Sequence, residues 1–396
     1  MAGPGSQWIG QEEIQEILEV MSTGSLFRYG NLDDPRFKHK VYSFEQEFAA
    51  RCGVRYALAT SSGSAALVCA LKAMGIGEGD EVIVPAYTFI ASYSAVIFAG
   101  GIPVLAEIDE SLSLDPADIE RRIGSRTKAI MPVHMLGNPC DLDGIMAVAE
   151  KHGLRVIEDA CQANGGSYKG RKLGSCGEMG TFSLNVFKTV TAGDGGVVVT
   201  NDEDLYRVAF GFHDQGHSPL RAGVEVGRRS VLGMNFRMNE LTGAVALAQL
   251  RKLDRIIAVL REKKKVFKEA IAGLEGLKFR TLNDPEGECG TLCTVIFDSP
   301  ERAARVSRNL GTATVDRSGW HVYSNMEHFN RYLREKGLPH GKGAYPRTDS
   351  ILSRAVNLSV GVVDTGLGAD FGINIESSPE EIRLATARFR EACLGS

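Results

Sequence analysis

Lys188 is the residue whose setting points to covalent chemistry, and Asp159, 29 positions before it, is the carboxylate that could support it. Lys188 sits in FSLNVFKTVTAGDGGVVVTNDEDL (Phe182–Leu205), an apolar and hydroxyl-rich run that leads into a Gly-Asp-Gly-Gly turn. A cation in such a setting is costly unless it is paired or has lost its charge. An amine with an ordinary pKa of about 10.4 is mostly protonated at neutral pH. Condensed with an aldehyde it becomes an imine, with different acid–base behaviour. A phosphorylated aldehyde cofactor needs three further things: a carboxylate for its ring nitrogen, a cradle for its phosphate, and an aromatic face for its ring.

The chain offers a candidate for each. In VIEDACQ, Asp159 follows a β-branched stretch, and Gln162 lies three residues on, so both can address one ligand if the chain turns helically there. TSSGSAAL (Thr60–Leu67) is a small-residue turn opening a helical pattern, whose backbone N–H groups suit an anion with help from the helix dipole. PAYTFIAS places Tyr87, Thr88 and Phe89 just after a strand, where an aromatic can stack on a ring. Taken singly, each has an ordinary reading: a snorkelling or salt-bridged lysine, a capping Asp, a surface turn, a core Phe. Their order along the chain makes them a set.

The elements that must position this set are legible. Glu81–Ala86, Ile102–Asp109, Thr127–Leu136 and Leu154–Ala160 read as strands, as do GTFSL and GGVVVTN. DLDGIMAVAEKHG has helical spacing, with Ile145, Val148 and Ala149 on one face and Gly153 at the end. Strand–helix alternation implies an α/β fold with a mainly parallel sheet covered on both faces, and ligands of such sheets sit at the carboxyl ends of the strands. A long helix is expected from Asn239, its N-cap, to about Leu274, with REKKKVFKEA as a solvated basic section. A smaller α+β region follows. It ends in a helix capped by Ser378 with Glu381 three residues later.

Bulk properties set limits. The 396 residues suggest one large domain plus a smaller one, and 43% hydrophobic residues supply a sizeable core. The net charge of −4 carries no nucleic-acid footprint. Eight scattered cysteines fit reduced thiols of a cytoplasmic protein, and no zinc pattern or other metal site is expected. The start MAGPGSQWIG does not read as a signal peptide. Val82–Ala106 has no charge and is long enough to span a bilayer, but Pro85, Gly100, Gly101 and Pro103 interrupt it, so a strand–loop–helix–strand passage is expected.

The chain resembles the DegT/DnrJ/EryC1/StrS family of sugar aminotransferases, which use pyridoxal 5′-phosphate (PLP) on a fold-type-I scaffold. The resemblance is carried by SSGSAAL, VPAYTFIASYSAVIFAGGIPVLAEID, VHMLGNPCDLDGIMAVAEKHGLRVIEDACQANGGSYKGRKLG, FSLNVFKTVTAGDGGVVVTND and GMNFRMNELTGAVALAQLRKLD. It implies a mainly parallel seven-stranded sheet flanked by helices in a PLP-binding domain over 1–255, and a small C-terminal α+β domain over 256–396. It further implies that Lys188 is the Schiff-base lysine and Asp159 the partner of the ring nitrogen. Gln162 matches the residue near the ring hydroxyl, Phe89 the stacking aromatic, and Gly63, Ser64 and Ser183 the phosphate site. Asn235 matches an asparagine that reaches the phosphate from a neighbouring subunit, which implies a homodimer with shared sites. Relatives with His in place of the lysine dehydrate their sugars, so Lys188 favours transamination. Leu184 departs from the more usual SF-x-x-x-K pattern and is expected to point away from the cofactor.

Within the family, TGSLFRYG, EDACQANGGSYKG, FHDQGHS and NDPEGE are similar to the 8-amino-3,8-dideoxy-octulosonate aminotransferases, and secondarily to aminotransferases of octose antibiotic pathways. Both imply an eight-carbon keto-sugar, with L-glutamate or L-glutamine as amino donor. Substrate candidates are Arg28 and Tyr29 in FRYG, His217 in HDQGHS, and His321 and Tyr323 in WHVYSNMEH. His321 and His328 could share a helix face, and Arg237 could pair with Glu240. Competing readings are a dehydratase or oxygen-using enzyme that kept the lysine, and a non-catalytic regulator on the same scaffold.

Overall fold

The computed structural model describes residues 3–219 and 231–394. Seven strands form the main sheet: β1 Tyr56–Thr60, β2 Glu81–Pro85, β3 Ile102–Ala106, β4 Thr127–Ile130, β5 Arg155–Asp159, β6 Met179–Ser183 and β7 Gly196–Thr200. Their order is β1-β7-β6-β5-β4-β2-β3. Only β7 runs against its neighbours, pairing antiparallel with both β1 and β6; the other four pairings are parallel. The carboxyl ends of β1, β2, β4, β5 and β6 therefore share one edge, and β7 begins there.

β2, β6 and β7 are buried along their whole length, as strands covered on both faces must be. The uncharged Val82–Ala106 passage is β2, a loop, the helix Ile90–Phe98 and β3. Among the described residues no helix is long and apolar enough to cross a membrane. Two expected strands are shorter than their β-branched stretches. The Thr127–Leu136 run leaves the sheet after Ile130 and closes in a 3-10 turn, Met135–Gly137, in which Leu136 has φ +56°.

The long helix spans Glu240–Ile271 and starts where expected: Asn239 Oδ1 accepts the Thr242 N–H at 2.9 Å. Glu240 takes the backbone N–H groups of Lys40 and Val41, so it does not pair with Arg237, which binds Asp214 instead. Beyond this helix lies an antiparallel sheet of β8 Leu277–Phe279, β9 Leu292–Phe297 and β10 Ala355–Ser359. It packs on the helix, which corrects the expectation of a fully solvated lysine run. Lys264 is 5% exposed and pairs with Glu288 at 2.7 Å. The terminal helix Pro379–Leu394 has the expected box: Ser378 N–H donates to Glu381 Oε2 at 2.7 Å, and Glu381 N–H to Ser378 Oγ at 3.3 Å.

Candidate active site

The shared strand edge gathers the set. β1 ends at Thr60, and Ser62 then caps the helix Gly63–Ala73, its Oγ accepting the Ala65 N–H at 3.1 Å. The first N–H groups of any helix lack internal partners and favour an anion. Gly63 has to be glycine here. A Cβ would stand 2.8 Å from Ser183 Cβ and 3.1 Å from Cys161 Sγ. Gly196 is equally constrained, because a Cβ would collide with the Ser62 carbonyl. Ser64 is exposed at the turn, and Ser183, at the end of β6, is buried against it. The Gly-Asp-Gly-Gly turn thus lets β7 start directly beneath the anion turn.

Asp159 ends β5 and is 4% exposed. Its Oδ2 accepts the Ser92 hydroxyl at 2.8 Å and its Oδ1 the Cys161 N–H at 3.1 Å. Ser92 lies 2.8 Å from the Thr88 hydroxyl, one helical turn back. Next to Asp159, Glu158 is fully buried and accepts N–H groups from Gly174, Cys176 and Gly177. His134 Nε2 lies 3.0 Å from Glu158 Oε2, and His134 Nδ1 accepts the Cys140 N–H at 3.1 Å. The second bond fixes the tautomer: Nε2 carries the proton and donates to Glu158. Burial alone would raise the Glu158 pKa, but His134 and the backbone donors outweigh it and hold it below the carboxylate range. This pair braces the end of β5 against the loop after β4.

Lys188 follows β6 on a loop and is half-buried. It lines a small cavity with Leu136, Gln162, Phe187, Thr291 and Leu367. Burial pushes its pKa below the ordinary lysine value, against the opposing pull of Cys161, Asp159 and Asp364. The Cys161 thiol is pushed well up by burial and then by Asp159, so it does not compete as a thiolate. Gln162 Oε1 accepts the Leu136 N–H at 3.0 Å, which leaves its NH2 group as a donor toward the cavity side. Leu184, the departure from the family pattern, packs in the core. Phe89 precedes the helix Ile90–Phe98 and is 40% exposed, with its ring centroid 5.3 Å from that of His321.

His321 is the substrate candidate that the fold brings to this group. Its ring nitrogen Nδ1 shares a hydrogen bond with Ser318 Oγ at 3.0 Å. Burial, then the Lys188 charge, pushes its pKa down to about 3, so it stays neutral. Asp364, unnoticed in the sequence, faces the same lysine. Burial raises its pKa against the opposing effects of the Gly366 N–H and Lys188. The D-x-G turn in VVDTGL is its only local signal; Asp364 Oδ1 accepts the Gly366 N–H at 2.8 Å. Ser92 had a clearer one, its i+4 spacing from Thr88 within PAYTFIAS.

Other candidates are placed elsewhere. Arg28 is buried in a two-pronged pair with Glu45, at 2.8 and 3.1 Å, and also donates to the Ala59 carbonyl. Tyr29 donates to Asp214. Both line a cleft with Tyr42, Tyr56 and Tyr206 that shares no residue with the Lys188 cavity. The expectation for Tyr323 is corrected: it is fully buried, donates to Asp349 at 3.2 Å and stacks edge-on with Tyr345, so packing accounts for it. His321 precedes a 3-10 turn while His328 is exposed on the helix Glu327–Glu335, so the two do not share one helix face. Among the described residues no group of three or more His, Cys, Asp or Glu is gathered for a metal ion. His217 is half-buried, its backbone N–H on the Asp214 carbonyl. Asn235 is exposed, and its Oδ1 accepts the Arg237 N–H at 3.3 Å while Phe236 takes the Ser61 N–H, beside the anion turn.

The group fits a phosphorylated pyridine aldehyde: an amine of lowered basicity, a carboxylate held by two donors, a glycine-tight helix start and a partly open aromatic. Several known proteins are similar to this chain. GDP-perosamine synthase of Caulobacter vibrioides is 44% identical over 243 residues, 61% of this chain and 62% of the relative, so the chain spans about three fifths of that relative's length. The spore coat polysaccharide biosynthesis protein SpsC of Bacillus subtilis is 36% identical over 360 residues, 87% of this chain and 90% of the relative. The X-ray structure of the aminotransferase from Psychrobacter cryohalolentis superposes with a TM-score of 0.81 at 29% identity, covering 96% of each chain. The fold is accordingly that of the fold-type-I PLP aminotransferases. The family model of the DegT/DnrJ/EryC1/StrS aminotransferases matches residues 7–363, and the chain belongs to that family.

Proposed function

We propose that the protein is a PLP-dependent aminotransferase that moves an amino group from L-glutamate or L-glutamine to a keto-sugar in amino-sugar biosynthesis. The observation that carries this reading is the meeting of Lys188 and Asp159 at one strand edge, beside the Gly63 turn. When bound, the cofactor supplies an aldehyde that takes up the amino group and a cationic ring that draws electrons from the substrate's Cα. Asp159 supplies the negative charge that keeps the ring nitrogen protonated. Gly63, Ser64 and Ser183 would hold the phosphate, Phe89 would lie against the ring, and the Gln162 NH2 would be the donor for the ring hydroxyl. Lys188 Nζ, its basicity lowered by burial, takes the proton from the donor's Cα and gives it back on the other side of the reaction.

His321, whose ring centroid lies 5.3 Å from that of Phe89, and Asp364, whose charge acts on Lys188, are the groups assigned to the sugar hydroxyls. The eight-carbon keto-sugar is the finest part of the proposal and rests on TGSLFRYG, FHDQGHS and NDPEGE. The name of the GDP-perosamine synthase relative makes a GDP-linked sugar the competing class. Asn235 reaches the phosphate of a second copy in a homodimer; its exposure, beside exposed Leu232 and Met234, supports this.

Borohydride reduction followed by peptide mass spectrometry tests the core of the reading. A pyridoxyl mass is expected on the peptide carrying Lys188 and not in Lys188→Ala, whose turnover falls about 10²–10⁴-fold. No such mass on the wild-type peptide refutes the assignment. Release of 2-oxoglutarate from glutamate, across a panel of keto-octoses and GDP-linked keto-sugars, separates transamination from dehydration and names the sugar class.

A further inference from the structure

Residues 3–6 are tied directly to the loop that carries Lys188. The Gly3 N–H donates to the Val186 carbonyl at 2.8 Å, and the Ser6 hydroxyl donates to the same carbonyl at 2.9 Å. The Gly5 N–H donates to the carbonyl of Lys188 itself at 3.3 Å. Gly3, Pro4 and Gly5 are all buried. Their residue types follow from the closeness of the contact. A Cβ at Gly3 would stand 2.8 Å from the Lys188 carbonyl oxygen and nearer still to that of Phe187. A Cβ at Gly5 would stand 2.8 Å from Val190 Cα and 2.9 Å from Thr191 N. Pro4 opens the short helix Pro4–Gln7, where its missing N–H costs nothing.

The other side of this turn is anchored. The Trp8 carbonyl accepts Lys252 Nζ at 2.8 Å from the long helix. Gln249, on the same helix, accepts the Thr191 N–H at 3.3 Å and donates to Glu13 at 2.8 Å. Pro4 also abuts Gly361, which follows β10; a Cβ on Gly361 would stand 3.2 Å from Pro4 Cγ. The turn therefore bridges the lysine loop, the long helix and the second sheet. Within the loop, the Lys188 N–H donates to the Asn185 carbonyl at 3.0 Å and the Ala192 N–H to that of Leu184 at 2.9 Å, while the Val186 and Lys188 carbonyls are taken by the N-terminal turn.

We propose that Gly3–Ser6 is a positioning clasp, which fixes the main chain of Val186–Lys188 and so sets where Lys188 Nζ stands relative to Asp159. This rests on Lys188 being the reactive amine. A long flexible side chain can be aimed only if its Cα is held, and the clasp holds the Val186 carbonyl two residues before that Cα and the Lys188 carbonyl directly after it.

The test compares Gly3→Val, Ser6→Ala, Ser6→Thr and a chain lacking residues 1–6 with the wild type. Gly3→Val must displace the loop by about 1 Å, a misplacement that costs on the order of 10²-fold in kcat, while KM for the amino donor stays within about threefold. In the cofactor-free protein, amide exchange in the peptide spanning Val186–Thr191 is expected to speed up in Gly3→Val, Ser6→Ala and the truncated chain, without change in the strand peptides. With cofactor added, the pH at which its absorbance changes is expected to move. Ser6→Thr, which keeps the hydroxyl, restores both readouts. Wild-type exchange in Ser6→Ala and the truncated chain overturns the proposal, whatever Gly3→Val does. So does faster exchange spread evenly over the whole protein. If the wild type carries no pyridoxyl mass on Lys188, the functional reading fails, while exchange in the cofactor-free chain still decides the clasp.

Discussion

Replacing Asp159 by asparagine separates the charge of this side chain from its shape. The carboxylate holds two bonds, from the Cys161 N–H at 3.1 Å and from the Ser92 hydroxyl at 2.8 Å. An amide in the same pose keeps its oxygen on the Cys161 N–H and turns its NH2 to Ser92. The Ser92 hydroxyl can reverse and donate to Thr88, 2.8 Å away. Both bonds survive in neutral form, at a loss of about 1 kcal/mol each, partly offset because no charge is now buried. A net cost of about 1–2 kcal/mol, spread over an unfolding entropy of about 2.1 cal/mol/K per residue, lowers Tm by only about 1–2 °C. The functional cost is larger. An adjacent opposite charge is worth about 1–3 pKa units to its partner, at about 1.4 kcal/mol each. Loss of that charge therefore slows proton removal from the donor about 10- to 10³-fold. Single-turnover absorbance after mixing the holoenzyme with glutamate measures the rate, and calorimetry the melting point. A wild-type rate in Asp159→Asn refutes the charge argument. A stability loss above about 4 kcal/mol refutes the hydrogen-bond account.

Two further outcomes follow from the buried groups. Arg28→Ala leaves Glu45 buried and unpaired, so urea denaturation is expected to show a loss of about 3–5 kcal/mol, with sugar KM nearly unchanged; a large KM rise at unchanged stability would return Arg28 to the substrate site. His321 has a folded pKa pushed down to about 3, against an ordinary value of about 6.5. As pH falls below about 6.5 the unfolded chain takes up a proton that folded His321 refuses, so stability drops by up to about 1.4 kcal/mol per pH unit until about pH 3. His321→Asn should flatten the stability curve between about pH 6.5 and 5 by nearly that slope, and an unchanged slope would show that His321 is not held neutral.

Legibility varied with the range of the forces involved. β2, β3, β5 and β7 could be read because each carries the β-branched residues that a covered sheet favours, and β6 from its Thr181–Phe182 pair. β1, Tyr56–Thr60, was missed. Its YALAT sequence has no such run, and it joins the sheet only by pairing antiparallel with β7, about 140 positions later in the chain. Helix caps at Asn239 and Ser378 were legible because the bond that defines each spans three residues. Lys264 was misread as solvated, since nothing near it in sequence shows that β8 and β9 will cover it and bring Glu288 within 2.7 Å.

By itself the sequence determined the α/β class, the caps and the order of anion turn, aromatic loop, carboxylate and lysine. A parallel sheet then carries the ends of β2, β5 and β6 to one edge without further instruction, so local order suffices to predict their meeting, while β1 brings the anion turn there through its long-range pairing with β7. Only the tertiary structure decided which remaining polar groups join them. His321 and Asp364 arrive at Lys188 from more than a hundred residues away, whereas Arg28, Tyr29 and Tyr323 are taken up by Glu45, Asp214 and Asp349. A buried polar group must be satisfied by whatever partner the fold delivers, and that partner is not written beside it in the chain.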